Sequence, residues 1–197
     1  MINYPTKKTP KQNVHQTQAS VKNRGMRFEK LIDEANRYYV DRDIAVIHKK
    51  PIPIQIVKVH YPKRTLARID EAYYKTPSTT DYNGIFQQYY IDFDVKETSA
   101  KTSFPLKNIH EHQIAHLKSI HHHGGIAFLL IHLKQPDETY LLGYETLQAF
   151  LKRAETGRKS ITFSELRQKG YAIKEGFQPR MDYLKAVSAY IKDKTTL

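Results

Sequence analysis

From Met26 to Asp41 apolar side chains recur at three- and four-residue steps (Phe28, Leu31, Ile32, Ala35, Tyr38, Tyr39), which predicts a first helix with one face turned toward a core. The apolar run Ile44-Ala45-Val46-Ile47 predicts a short buried strand, and the following Lys49-Lys50-Pro51-Ile52-Pro53 marks a strand edge or an excursion. Between Ile54 and Thr80, β-branched residues mix with basic ones, followed by Tyr61-Pro62-Lys63-Arg64 and a polar turn at Thr76-Pro77-Ser78-Thr79-Thr80. That pattern predicts an extended protrusion, although an ordinary edge hairpin protected by lysines has the same signature. Strict alternation returns in Tyr90-Ile91-Asp92-Phe93-Asp94-Val95-Lys96, a strand with one apolar face. A helical stretch then runs from Leu106 through Ile109, Ile114, Leu117 and Ile120 to His123 and stops at Gly124-Gly125. Ile126–Leu133 predicts a buried strand that could pair with Thr139–Gly143 across the turn at 135–138, and Tyr144–Ala154 a helix. Two shorter helices are expected near Phe163–Lys169 and Asp182–Lys192. Strands and helices mix without repeats, as in an α/β or α+β domain.

Length and composition narrow this picture. The 197 residues suit one domain, expected over 26–197 with an insertion at about 54–80. Residues 1–25 carry Lys7, Lys8, Lys11, Lys22 and Arg24, no acid and few large apolar groups, so a flexible basic arm is expected there. Lys and Arg number 32 against 20 Asp and Glu, a net charge of +12 that favours a polyanionic partner, nucleic acid first. With no cysteine, disulfide frameworks, thiolate zinc sites and cysteine nucleophiles are excluded. No run approaches the roughly 18 apolar residues of a membrane span, and Met1–Pro10 has no apolar signal core, so the expected location is the cytoplasm, with no membrane partner.

Chemistry concentrates on the alternating strand. Its even positions put Asp92, Asp94 and Lys96 on one face, and carboxylates beside an ammonium suit a hard divalent cation with a lysine to orient water or offset charge. A solvated strand carrying an ion pair would look the same, so a second source of carboxylate is needed. Asp81 supplies one: Asn83-Gly84 has the chemistry of a tight turn, which would fold Asp81 back beside Asp94, unless Asp81 is itself only a turn residue.

This arrangement resembles the PD-(D/E)xK nuclease superfamily, with Asp81 as first acid, Asp94 as second and Lys96 as the lysine. More specific are Asn23-Arg24-Gly25-Met26, His48-Lys49-Lys50-Pro51, Val59-His60-Tyr61-Pro62-Lys63-Arg64, Ser78-Thr79-Thr80-Asp81-Tyr82-Asn83-Gly84, Lys101-Thr102-Ser103-Phe104-Pro105-Leu106, Gly157-Arg158-Lys159-Ser160 and Pro179-Arg180-Met181-Asp182-Tyr183. In order and spacing these segments are similar to the RecU family of Holliday-junction resolvases. The resemblance implies a restriction-endonuclease-like core, a mixed central sheet flanked by helices, that dimerises, with 54–80 as a stalk entering the centre of a four-way junction. It implies metal ligands at Thr79, Asp81, Asp94 and Gln113, a catalytic Lys96 and a supporting acid at Glu29. Mg²⁺ is the implied cofactor, with Mn²⁺ as a substitute. Branched DNA, a homodimer and the RecA recombinase are the implied partners, in recombination, repair and chromosome segregation. Asp94 departs from the pattern, since many relatives are expected to carry the longer Glu. A sequence-specific restriction-like endonuclease and a non-catalytic DNA-binding accessory are the competing readings.

Phosphate contacts are expected from Arg24, Lys49, Lys50, Lys63, Arg64, Lys101, Lys107, Arg158, Lys159 and Arg180, with Arg64 at the stalk tip and Tyr61 stacking on an unpaired base. His112 and His116 have the i, i+4 spacing of zinc ligands, but no third ligand is fixed by spacing; solvated or DNA-facing histidines are the simpler expectation.

Overall fold

The computed structural model describes residues 19–75 and 79–195, apart from the side chains of residues 19–26 and of Arg64. The expected arm at 1–18, residues 76–78 of the polar turn and the Arg24 and Arg64 side chains lie outside the described residues. Helix α1 spans Ala19–Asp41, so it starts seven residues before the predicted Met26 and takes in the end of the expected arm. No proline interrupts Ala19–Met26, and Gly25 only weakens a helix there.

A six-stranded mixed sheet forms the body. Its strands, in chain order, are β1 (Val46–Lys49), β4 (Tyr82–Phe86), β5 (Tyr89–Thr98), β7 (Ile126–Leu133), β8 (Glu138–Gly143) and β10 (Tyr171–Ile173). They lie side by side in that order, β5 and β7 parallel and every other pair antiparallel. The parallel pair is bridged by α2 (Glu111–His122), as a crossover between parallel strands requires. Two further short strands, β6 (Ser103–Pro105) and β9 (Ser160–Thr162), pair with each other outside the sheet. Sequence periodicity missed β6, β9 and β10 because three residues cannot display a period.

Each sheet face has its own core. On one side α1 and α5 (Leu184–Thr195) pack Phe28, Ile32, Tyr39, Val187 and Ile191 onto Ile91, Phe93, Phe128 and Leu130. On the other, α2, α3 (Tyr144–Thr156) and α4 (Phe163–Lys169) cover Leu129, Ile131 and Leu142 with Leu117, Leu147, Phe150 and Leu166. Strand β7 is therefore apolar on both faces, whereas β5 is apolar only toward α1. The polar face of β5 looks toward α2.

β2 (Ile54–His60) and β3 (Arg68–Tyr74) form a separate antiparallel hairpin joined through a 3-10 turn at Arg64–Leu66. Every described residue of the two strands is exposed. The predicted protrusion is thus a two-stranded projection without a core of its own. Among the described residues, no helix is long and apolar enough to cross a membrane.

Candidate active site

Strand pairing brings the two acids together. Tyr82 pairs with Phe93 across β4 and β5, so Asp81, one step before Tyr82, lies opposite Asp94 on the other face of the sheet. The register is held from below: Tyr82 stacks on Phe93 and Phe93 on Phe128, at centroid distances of 5.1 and 4.8 Å. Such pairs contribute about 0.5–1.5 kcal/mol each beyond their buried area, and a slip by one residue would turn Asp94 into the α1 core.

The turn that makes this pairing is not Asn83-Gly84, contrary to the sequence expectation. Those residues lie inside β4, and the chain reverses at Gln87-Gln88, both at positive φ (49° and 71°). Glycine is required at 84 for a different reason: a Cβ there would lie 2.0 Å from the Val46 carbonyl oxygen of β1.

Asp92 and Asp94 are both 0% exposed, so at these positions the polar face of β5 is not the solvated strand face of the alternative reading. Asp94 Oδ1 accepts a hydrogen bond from Gln113 Nε2 at 2.7 Å. Its Oδ2 lies 2.5 Å from Lys96 Nζ as an ion pair, yet no donor is aligned on it in hydrogen-bond geometry. Burial raises the Asp94 carboxyl to about 7; Lys96 pulls it back, and Asp81 pushes it up through repulsion and a shared hydrogen bond. Two carboxylates forced together, one of them fully buried, fit a divalent cation, which would relieve the repulsion between them. Among the described residues no three His or acidic side chains converge on a metal position, so the remaining donors would be neutral oxygens. Gln113 holds its own oxygen on the His110 N–H (3.1 Å) at the start of α2, and its amide would have to turn to offer that oxygen to a cation. Thr79, two residues before Asp81, is half-buried and donates to the Thr80 carbonyl at 3.3 Å.

Other expected residues fall elsewhere. Glu29, on α1, binds Lys49 Nζ at 2.6 Å, and no hydrogen bond or ion pair joins it to Asp81 or Asp94 among the described residues. Lys49, which shares the Tyr82 side of the sheet, is also 3.9 Å from Asp33, and its pKa is raised by Glu29, Asp33 and Asp81 against the opposing effect of burial. Lys50 does not face outward, as a phosphate contact would. At 17% exposure it turns inward to Asp92. Tyr61, Lys63, Lys101, Lys107, Arg158, Lys159 and Arg180 are exposed. The β6–β9 pairing, with Leu106 N–H on the Lys159 carbonyl, puts the 101–107 stretch beside Arg158 and Lys159. Arg180 is engaged by Glu175 at 2.9 Å. His112 stacks on His110 at 5.5 Å while His116 reaches Asp92, so the two histidines do not converge as a zinc pair.

Sequence reasoning set Asp92 beside Asp94 on the polar face but left it out of the ligand set, weighed His116 only as a zinc ligand or a solvated or DNA-facing histidine, and missed Thr80. All three meet inside the protein, and the only signal available was that Asp92 shares a strand face with Asp94.

The chain matches the family described as Recombination protein U over residues 23–189. It is similar to the Holliday junction resolvase RecU of Staphylococcus aureus strain JH9, at 56% identity over 173 residues that span 87% of this chain and 83% of the relative. The corresponding protein of strain MRSA252 matches equally, at 56% over 173 residues, with the same shares of both chains. A solved structure, the Holliday junction resolvase Hjc of Archaeoglobus fulgidus, covers 74% of this chain and 93% of its own with 12% identity and a TM-score of 0.38. With a family match running from before the first acid to beyond the last motif, and relatives more than half identical over most of its length, this chain belongs to the RecU family.

Proposed function

We propose that this protein is a metal-dependent endonuclease that resolves Holliday junctions in DNA recombination and repair. The observation that carries the reading is the pairing of Asp81 with Asp94 across adjacent strands, with Lys96 in the same wall, in a chain of the RecU family. A bound divalent cation, Mg²⁺ with Mn²⁺ as substitute, would polarise the scissile phosphate and lower the pKa of an attacking water. Asp81 and Asp94 supply its charged ligands, and Thr79 and a turned Gln113 its neutral ones. Lys96, 2.5 Å from Asp94, is placed to offset charge that builds on the phosphate oxygens during attack. Glu29 acts at a distance through Lys49, whose pKa Glu29 and Asp81 both help to raise.

The hairpin supports selectivity for branched DNA. Tyr61 and Lys63 stand exposed next to the Arg64–Leu66 turn, where a basic, aromatic tip can meet phosphates and an unstacked base at a junction centre. Exposed Ile54, Ile56, Val59, Ile69 and Tyr74 on the same hairpin support a second copy covering part of it. A two-fold dimer would present two sites to the two strands of a junction that must be cut. RecA is the proposed protein partner in recombination.

Cleavage of four-way and linear DNA in Mg²⁺ by the wild type and by Asp81→Ala tests the reading. The expected result is paired junction cuts by the wild type, lowered by more than about a thousandfold in the variant, with junction binding retained. Site-specific cutting of linear duplex, or junction cutting that survives the substitution, would overturn it.

A further inference from the structure

Asp92 is a fully buried carboxylate that the proposed chemistry does not use. Its Oδ1 accepts the Thr80 hydroxyl. Its Oδ2 receives Lys50 Nζ at 2.7 Å and the Tyr90 hydroxyl at 3.0 Å, and lies 3.1 Å from His116 Nε2, which is itself 3.3 Å from Lys50 Nζ. Lys50 Nζ also donates to Thr80 Oγ1 at 2.9 Å, and the Lys50 amide donates to the Asp81 carbonyl at 2.7 Å.

These partners come from the segments that carry the site. Thr80 is the neighbour of Asp81, and Asp92 lies two residues before Asp94 on the same face of β5. His116 is one helical step beyond Gln113, which holds Asp94. Lys50 follows β1 and grips Asp81 by its backbone. Each element that positions a proposed ligand therefore places a second side chain on Asp92.

Stability alone is a poor reason for such an arrangement, because a buried ion pair seldom contributes more than a well-packed apolar group. Geometry supplies a better one. Asp81 and Asp94 are like charges set opposite each other by the pairing of Tyr82 with Phe93, and Asp81 sits just before the first residue of β4, a strand end from which it could swing away. The bonds from Asp92 to Thr80 and Lys50 oppose that movement.

We infer that Asp92 is a positioning residue, which through Thr80, Lys50 and His116 holds the Asp81 segment against the Asp94 strand and thereby sets the affinity for the divalent cation. The inference rests on the metal-dependent reading above, and its test keeps the two separable. Metal binding is measured without DNA by calorimetric titration of the full chain with Mn²⁺, and junction cleavage is followed as a function of metal concentration. Thr80→Val removes only the hydroxyl and keeps the shape, so it serves beside Asp92→Asn in case the latter folds poorly.

Thr80→Val is expected to weaken Mn²⁺ binding by about tenfold to a hundredfold, the effect typical of partners that orient metal ligands. The metal concentration for half-maximal cleavage should rise by the same factor, with the rate at saturating metal within about twofold of wild type. Thr80→Ser, which restores the hydroxyl, is expected to bind Mn²⁺ like the wild type. Thr80→Val and folded Asp92→Asn proteins with lowered melting temperatures but unchanged Mn²⁺ affinity would overturn the positioning role and leave the nuclease reading standing. A wild type that binds no Mn²⁺, or whose binding is indifferent to Asp81→Ala, would overturn both.

Discussion

The body and the hairpin treat polar and apolar groups in opposite ways. In the body, charged side chains are buried: Asp92 and Asp94 are 0% exposed, and each meets partners from several elements. On the hairpin, apolar side chains are exposed, among them Ile56 at 50%, Tyr61 at 63% and Tyr74 at 82%. Each choice is costly for an isolated monomer. Buried carboxylates lose hydration, and exposed tyrosines and isoleucines forgo burial. The difference teaches that the two regions have separate requirements. Phosphodiester chemistry needs acids fixed relative to one another, which only a packed environment provides; recognition of a branched substrate, or of a second copy, needs surface that is still free to be covered.

If that division is right, substitutions in the body should act through stability and site geometry, and those on the hairpin through binding alone. The largest effect is expected from Gly84→Ala. Its new methyl would lie 2.0 Å from the Val46 carbonyl and push β1 off β4, loosening Lys50 from Asp81 as well. A loss of about 3 kcal/mol in urea unfolding is expected, together with weaker metal binding. Wild-type stability for this variant would mean that β1 is not seated as described.

A smaller effect, and one on a different observable, is expected from Tyr61→Ala, Lys63→Ala and Arg64→Ala combined. Junction binding in a gel-shift assay should fall by about tenfold or more, and its salt dependence should flatten as phosphate contacts are lost. Unfolding free energy should stay within about 0.5 kcal/mol of wild type, because Tyr61 and Lys63 are exposed and the hairpin carries no core of its own. A large drop in stability would erase the distinction between the regions.

Next comes pH. Burial raises the Asp94 carboxyl from 3.8 to about 7 in the folded chain. A raised pKa means that the folded state holds the proton more tightly than the unfolded one. Its contribution to stability is therefore complete below about 4 and is lost as pH rises through about 7. With chelator present, the melting temperature of the wild type relative to Asp94→Asn should decline by a few degrees between pH 5 and pH 8. A difference that stays flat over that interval would show that the carboxylate is better solvated than its position implies.

The smallest effect should come from the turn between β4 and β5. Gln87 and Gln88 both occupy positive φ, where Asn and Gly are at ease. Replacing the pair by Asn-Gly is expected to add about 1 kcal/mol to stability and to leave junction cleavage unchanged, as thermal melts and cleavage rates would register.

Much of the fold was legible in the periodicity. The strand Ile126–Leu133 and the helix Phe163–Lys169 have the predicted limits, and α2 ends at the predicted glycines. Long elements with one buried face repeat their pattern often enough to be read. The misplaced turn shows where local chemistry misleads: Asn83-Gly84 has turn residues, but the glycine answers to the backbone of β1, thirty-eight residues away in the chain from Val46 to Gly84. Lys50 is a second example. Beside Lys49 it looks like one of two surface cations, yet neighbouring residues of a strand end point to opposite sides, and only one of them is free of the interior.

What the sequence determined by itself was which residue types lie on which face, because strand and helix periods are local properties of the chain. It also contained the acids, the lysine and the ordered segments from which the family could be read. The tertiary structure decided which faces meet. The register that sets Asp81 against Asp94, the inward turn of Lys50 and His116, and the closure of four side chains on Asp92 all depend on pairings between distant segments. Those pairings are selected by the packing of Tyr82, Phe93 and Phe128 on the opposite side of the sheet, a non-local energy that no stretch of the sequence carries alone.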